Sequence, residues 1–135
     1  MNPMPNGARE RLTDLRNGLL RLHMNLLDSE KNAYERDVAR ITSPAQYLNL
    51  ALNDPWFAWL RELSQFIVMI DETLDLEEPA TLEEAARLIA RARALVAPSE
   101  NGEGFSHRYY EAMQRDPGVV VAHGEMMRVF AGLAK

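Results

Sequence analysis

Hydrophobic residues recur every three or four positions along most of the chain, which is the spacing of one face of an α-helix. The longest such pattern extends from about Ala8 to Arg40. Its apolar face contains Leu12, Leu15, Leu19, Leu22 and Leu26. This spacing predicts a long first helix. Because glycine costs about 1 kcal/mol relative to alanine inside a helix, a bend is expected near Gly18.

Capping residues mark the starts of the other predicted helices. Three dipeptides place a capping side chain before a proline, namely Ser43-Pro44, Asp54-Pro55 and Asp116-Pro117. Proline suits the first helical position because its missing N–H would have no helical partner there. Thr81 and Glu84 have the spacing of a capping box. The predicted helices therefore cover residues 45–53, 55–76, 82–97, 105–115 and 117–134.

No stretch of the chain shows the sustained two-residue alternation of a β-strand. The predicted fold class is all-α, a helical bundle of about five or six helices with a long first helix. A length of 135 residues fits one domain that buries its own core. We expect residues 8–135 to form this domain and residues 1–7 to be a flexible N-terminus.

Composition narrows the classes of function. The chain contains no cysteine, which excludes thiol nucleophiles, disulfides and cysteine-ligated metals. Its net charge of −5 argues against nucleic acid as a partner, because proteins that bind the phosphate backbone present a basic surface. No apolar run has the length of a membrane span, and no secretion signal is recognised at the N-terminus. The sequence predicts a cytoplasmic protein without a membrane partner or a cofactor.

Aromatic residues are concentrated at the start of the predicted helix 55–76. Trp56, Phe57 and Trp59 lie within four positions, and the helix that follows is apolar around most of its circumference. Such a helix is normally surrounded by its neighbours, so these rings are predicted to fill one end of the core. The alternative is that Trp56 and Trp59, together with Tyr34, line a ligand site.

The histidines provide the strongest indication of a metal site. His23 and His123 lie on apolar faces of two predicted helices, and Glu30 follows His23 on the same side of the first helix. Two inward histidines can bind a metal inside a helical bundle together with Glu30, or with a carboxylate among Asp71, Glu72 and Asp75. The chain lacks the Glu-x-x-His pairs of di-iron bundles, so histidines buried with one hydrogen bond each are the other interpretation.

Three segments carry a resemblance that covers nearly the whole chain. They are LLRLHMNLLDSEKNAYE, NDPWFAWLRELSQFIVMIDE and NGEGFSHRYYEAMQRDPGVVVAHGEMM. The chain resembles a group of small uncharacterised bacterial all-helical proteins that have no assigned function. The resemblance implies a bacterial cytosolic setting and brings no catalytic motif. We expect a non-enzymatic binding or interaction module, or alternatively a metal- or small-ligand-binding bundle with its site near His23 and His123.

The lengths of the predicted helices suggest self-association. At 1.5 Å per residue the first helix would extend about 50 Å, compared with about 33 Å for residues 55–76. One end must therefore project or bend. The candidates for an exposed apolar patch are Leu12 and Leu15 at one end, or Tyr34, Val38 and Ile41 at the other. A homodimer or another protein partner could cover such a patch.

Overall fold

The computed structural model describes residues 6–134, which form six α-helices and one 3₁₀ segment. These elements are α1 (Asn6–Asp37), α2 (Pro44–Asn53), the 3₁₀ segment (Pro55–Leu60), α3 (Arg61–Asp75), α4 (Leu82–Leu95), α5 (Phe105–Arg115) and α6 (Pro117–Leu133). No strand occurs in this range, so the all-α prediction is confirmed. The predicted flexible N-terminus lies outside the described residues except for its last two, which already belong to α1.

The predicted helix starts are confirmed at the level of individual hydrogen bonds. Ser43 Oγ accepts from the backbone N–H of Gln46 at the start of α2. Asp116 Oδ1 accepts from Gly118 N at the start of α6. Thr81 and Glu84 make both bonds of the capping box before α4. Local side-chain chemistry therefore sets these boundaries.

Helix α1 lies at the centre of the bundle and packs against α3, α4 and α6. All five leucines of its predicted apolar face are at most 1% exposed. The helix is unbroken through Gly18. A Cβ atom added to Gly18 would lie 3.2 Å from Met126 Sδ and 3.3 Å from Val129 Cγ1, both on α6. Glycine at this position lets α6 approach α1 closely, and it does not interrupt the helix.

The predicted helix 55–76 is not a single α-helix. Its first six residues form the 3₁₀ segment, and α3 begins at Arg61. Because a 3₁₀-helix has three residues per turn, positions three apart lie on the same side. Phe57 and Leu60 accordingly face the core, at 0% and 2% exposed. Trp56 and Trp59 share another side and are only partly buried, so the core prediction holds for Phe57 but is incomplete for the two indoles.

The two candidate apolar patches on α1, one at each end of the helix, differ in whether they are exposed. Leu12 and Leu15 are both fully buried because neighbouring helices cover that end of α1, so this candidate patch is wrong. At the other end, Val38 is 56% exposed. Helix α2 has no buried residue and leaves Leu48 and Leu52 exposed as well.

None of the described helices combines the length and apolar character needed to cross a membrane.

Candidate functional site

Glu30 is a buried carboxylate in the last third of α1. Its residue is 2% exposed, and one carboxylate oxygen, Oε1, accepts a hydrogen bond of 3.0 Å from Trp59 Nε1. The guanidinium of Arg115 approaches the same oxygen at 3.5 Å. The second oxygen, Oε2, is buried without a hydrogen-bond partner among residues 6–134. Buried carboxylates are normally paired and hydrogen-bonded, so Glu30 retains an unused acceptor.

Three elements that are distant in sequence build the surroundings of Glu30. Helix α1 supplies Ser29 and Glu30, the 3₁₀ segment supplies Trp59, and the last turn of α5 supplies Arg115. Arg115 Nη2 also donates a 3.2 Å hydrogen bond to Ser29 Oγ. This second contact holds the guanidinium beside α1, so Arg115 both partly neutralises Glu30 and ties α5 to the bundle.

Aromatic rings pack around this polar group. The ring of Trp59 lies 5.2 Å from that of Phe105, and the guanidinium of Arg108 lies 5.8 Å from the Trp59 ring centroid. Tyr34 meets Trp56 edge to face, with ring centroids 5.7 Å apart. The structure therefore brings the three predicted ligand-lining aromatics to the same region as Glu30, one of the three predicted metal ligands.

A cavity of about 310 Å³ opens beside this group, and we call it the Glu30 cleft. Its described lining residues are Glu30, Arg36, Asp37, Trp56, Arg108, Glu111 and Arg115. Six of these seven are charged, three of each sign. The indole Nε1 of Trp56 is buried without a hydrogen-bond partner in the described structure. The cleft thus has two lining residues with unsatisfied polar atoms, an acceptor on Glu30 and a donor on Trp56.

The two inward histidines have different surroundings from Glu30. His123 Nδ1 lies 2.7 Å from the hydroxyl of Tyr109, a fully buried residue of α5. Burial raises the pKa of the Tyr109 hydroxyl and lowers the pKa of His123. His23 is partly buried on α1, and this burial also lowers its pKa. His123 therefore matches the interpretation of a histidine held by one hydrogen bond.

Within residues 6–134, no group of three or more His, Cys, Asp and Glu side chains is arranged to hold a metal ion. Glu30 contacts Trp59 and Arg115, whereas His123 contacts Tyr109. The metal site of His23, Glu30 and His123 stays a prediction from the sequence.

Sequence reasoning missed the arginines of the cleft. Arg115 precedes the Asp116-Pro117 cap, and its local sequence does not distinguish it from a solvated surface residue. A signal was nevertheless available on α1, because Glu30 continues the buried stripe four residues after Leu26. An acid on an apolar helix face requires a cationic or hydrogen-bonding partner from another element. The sequence could have predicted that Glu30 needs such a partner, but not that the partner is Arg115.

No protein-family model, curated protein or solved structure matches the chain. Its function is therefore inferred from the chemistry of the Glu30 cleft.

Proposed function

We propose that this protein is a non-enzymatic binding module that holds a small polar ligand in the Glu30 cleft. The observation that carries this proposal is the pair of buried, unpartnered atoms on its lining residues, Glu30 Oε2 and Trp56 Nε1. Leaving a buried polar group unsatisfied costs about 1–3 kcal/mol. A ligand whose donor reaches Glu30 Oε2 and whose acceptor reaches Trp56 Nε1 would remove both costs on binding.

The charges of the cleft define the ligand more closely. A protonated amine is the best donor for Glu30 Oε2, since hydrogen bonds between ionised groups are stronger than neutral ones. Trp56 Nε1 and the guanidinium groups of Arg108 and Arg115 are donors that suit a carboxylate. A cavity of about 310 Å³ lies at the lower end of the range for small-molecule sites, about 300–1,000 Å³. We therefore propose a compact zwitterion, such as an α-amino acid.

Tryptophan fluorescence provides a direct test. The chain has two tryptophans, Trp56 and Trp59, and both belong to this region. The proteinogenic α-amino acids would be titrated individually, with the matching primary amines and carboxylic acids as single-function controls. We expect at least one amino acid to change the emission and raise the thermal midpoint by mass action. The corresponding amine and acid should bind more weakly, because each satisfies only one side of the cleft.

A charge-removing variant provides the matched control. Glu30→Gln keeps a carbonyl that can accept from Trp59 but removes the negative charge, so the response to the amino acid should be lost or strongly reduced. Glu72→Gln makes the same change at an exposed position of α3 and should bind like the wild type. Absence of any response in the wild type, or an equal response in Glu30→Gln, would count against the proposal.

The exposed face of α2 supports a second, interaction-based proposal. Leu48 and Leu52 are 61% and 60% exposed and lie one turn apart on the same side of the helix. We infer that this face, with Val38 nearby in the chain, forms a two-fold homodimer contact, and that another protein partner is the alternative occupant. Light scattering across a wide dilution series should show a dimer that Leu48→Lys converts to a monomer. A wild-type monomer at every concentration would argue against the homodimer.

A cytosolic setting is part of the proposal. A chain without cysteine neither needs an oxidising compartment nor suffers in a reducing one.

A further inference from the structure

A second cavity, with lining residues different from those of the Glu30 cleft, lies where α4 packs beside the first turns of α1 and the last turn of α6. It has a volume of about 600 Å³, and we call it the α4 groove. Its described lining residues are Arg11, Leu82, Ala86, Ile89, Ala90, Arg93, Ala94 and Leu133. Six of these eight are apolar, two are arginines and none is acidic. This combination differs sharply from the mixed charges of the Glu30 cleft.

The groove follows nearly the whole length of α4. Its lining residues on α4 extend from Leu82 to Ala94, twelve steps of 1.5 Å, or about 18 Å. Ala86, Ala90 and Ala94 recur every four positions and therefore lie along one side of the helix. All three are exposed, and Leu82 at the beginning of α4 is 54% exposed. The groove thus offers an apolar track along α4 that is open to solvent.

The charge of the groove is opposite to that of the chain. The protein has 20 acidic and 15 basic residues and a net charge of −5, yet the charged residues of this lining are both arginines. Arg93 is held in place by a 3.3 Å hydrogen bond from Nη2 to Phe130 O and by its position 5.0 Å from the Phe130 ring centroid. Arg11 Nη1 donates to Leu133 O. Because a guanidinium has five N–H donors, Arg93 retains donors for an incoming carboxylate.

We infer that the α4 groove binds the anion of a single-chain fatty acid. The carboxylate is held at Arg93, and the alkyl chain follows the alanine track towards Leu82. The volume is that of a small-molecule site, whereas a stable protein partner would cover about 800 Å² of this surface. Arg93 selects an anion over a neutral apolar molecule, and a track about 18 Å long accommodates one extended alkyl chain.

Isothermal titration with decanoate, below the concentration at which it forms micelles, tests this inference. Decylammonium has the same chain with the opposite charge and is the matched ligand control. We expect decanoate to bind at one site per chain and decylammonium to bind at least about tenfold more weakly. In the series hexanoate, octanoate and decanoate, each added methylene should tighten binding by up to about fourfold, as expected for burial of alkyl surface.

Two variants address the site itself. Ala90→Leu fills the floor with a side chain that helices accept readily, and it should abolish decanoate binding without loss of helix content. Ala131→Leu makes the same change at an exposed position of α6 outside the groove and should leave binding unchanged. Arg93→Gln should weaken decanoate at least about tenfold and reduce its advantage over decylammonium.

Several outcomes would overturn the inference. These are equal binding of the two decyl compounds, unchanged decanoate binding in Ala90→Leu, or absence of binding to the folded wild type. If decanoate does not bind and the mass of the protein rises with concentration in a way that Ala90→Leu prevents, the groove is a contact between two copies of the chain. Ala90 and Arg93 line a different cavity from Trp56 and Glu30, and the two cavities share no described lining residue. These results are therefore independent of the proposed amino-acid site.

Discussion

The same substitution at two neighbouring tryptophans provides a sharp test of the Glu30 site. Trp59→Phe removes an indole N–H that donates to a buried carboxylate at 3.0 Å. Trp56→Phe removes an indole N–H that is buried without a partner in the described structure. Both side chains are partly buried, and both keep an aromatic ring after substitution. The two variants therefore differ mainly in whether a hydrogen bond is lost.

The expected difference follows from the surroundings of Glu30. A hydrogen bond to a charged group contributes about 1.5–3 kcal/mol to the free energy of unfolding. In Trp59→Phe, Glu30 would retain only Arg115, at 3.5 Å and with a side chain that is 31% exposed, as its remaining partner. Losing the unpartnered N–H of Trp56 carries no such cost. Trp59→Phe should thus be about 1.5–3 kcal/mol more destabilising than Trp56→Phe.

Urea denaturation followed by far-ultraviolet circular dichroism measures this difference without relying on the altered fluorescence. A double-mutant cycle with Glu30→Leu isolates the contribution of the Glu30–Trp59 pair, because in that background Trp59→Phe removes no hydrogen bond to a carboxylate. Equal destabilisation by the two tryptophan variants, or an unchanged cost of Trp59→Phe in Glu30→Leu, would refute the described role of the Glu30–Trp59 bond.

Three further predictions concern packing, pH and capping. Gly18→Leu should lower the free energy of unfolding by about 1–3 kcal/mol, because the new side chain meets Met126. Gly124→Ala has nothing within 4 Å of the added Cβ and should raise the free energy of unfolding by up to about 1 kcal/mol, measured by urea denaturation. A change of the same sign in both variants would contradict this packing. Burial lowers the pKa values of His23 and His123, so the folded state binds fewer protons, and stability should be full above about pH 6.5 and fall below it. Urea denaturation at several pH values should show that the double His23→Gln/His123→Gln variant loses less stability at acidic pH than the wild type. An identical loss of stability in both proteins would argue against this role of the two histidines. Asp116→Ala removes a 2.9 Å cap bond to Gly118 N and should cost about 1 kcal/mol, measured as a lower urea midpoint with an unchanged denaturant slope; an unchanged midpoint would contradict the cap.

The sequence determined the helical class and the helix starts of this protein. The caps at Ser43, Thr81 and Asp116 involve side chains and backbone groups two or three residues apart, so their geometry depends on local chain conformation. The apolar stripe of α1 likewise predicted which leucines are buried, because helical periodicity alone places them on one face. Local physical chemistry was sufficient for these features.

Only the tertiary structure decided how distant residues meet. Trp59 lies 29 positions from Glu30 in the sequence, and Arg115 lies 86 positions from Ser29, to which it donates a hydrogen bond. Over such separations the spacing of residues in the sequence does not indicate which side chains meet. The 3₁₀ geometry of Pro55–Leu60 also departed from the α-helical prediction, and it moved Trp56 and Trp59 to a different side from Phe57. Helix α6 likewise gave Gly18 a packing role, because the approach of Met126 depends on the position of a helix more than one hundred residues further along the chain. Contacts of this kind arise from the packing of whole helices, which no local pattern encodes.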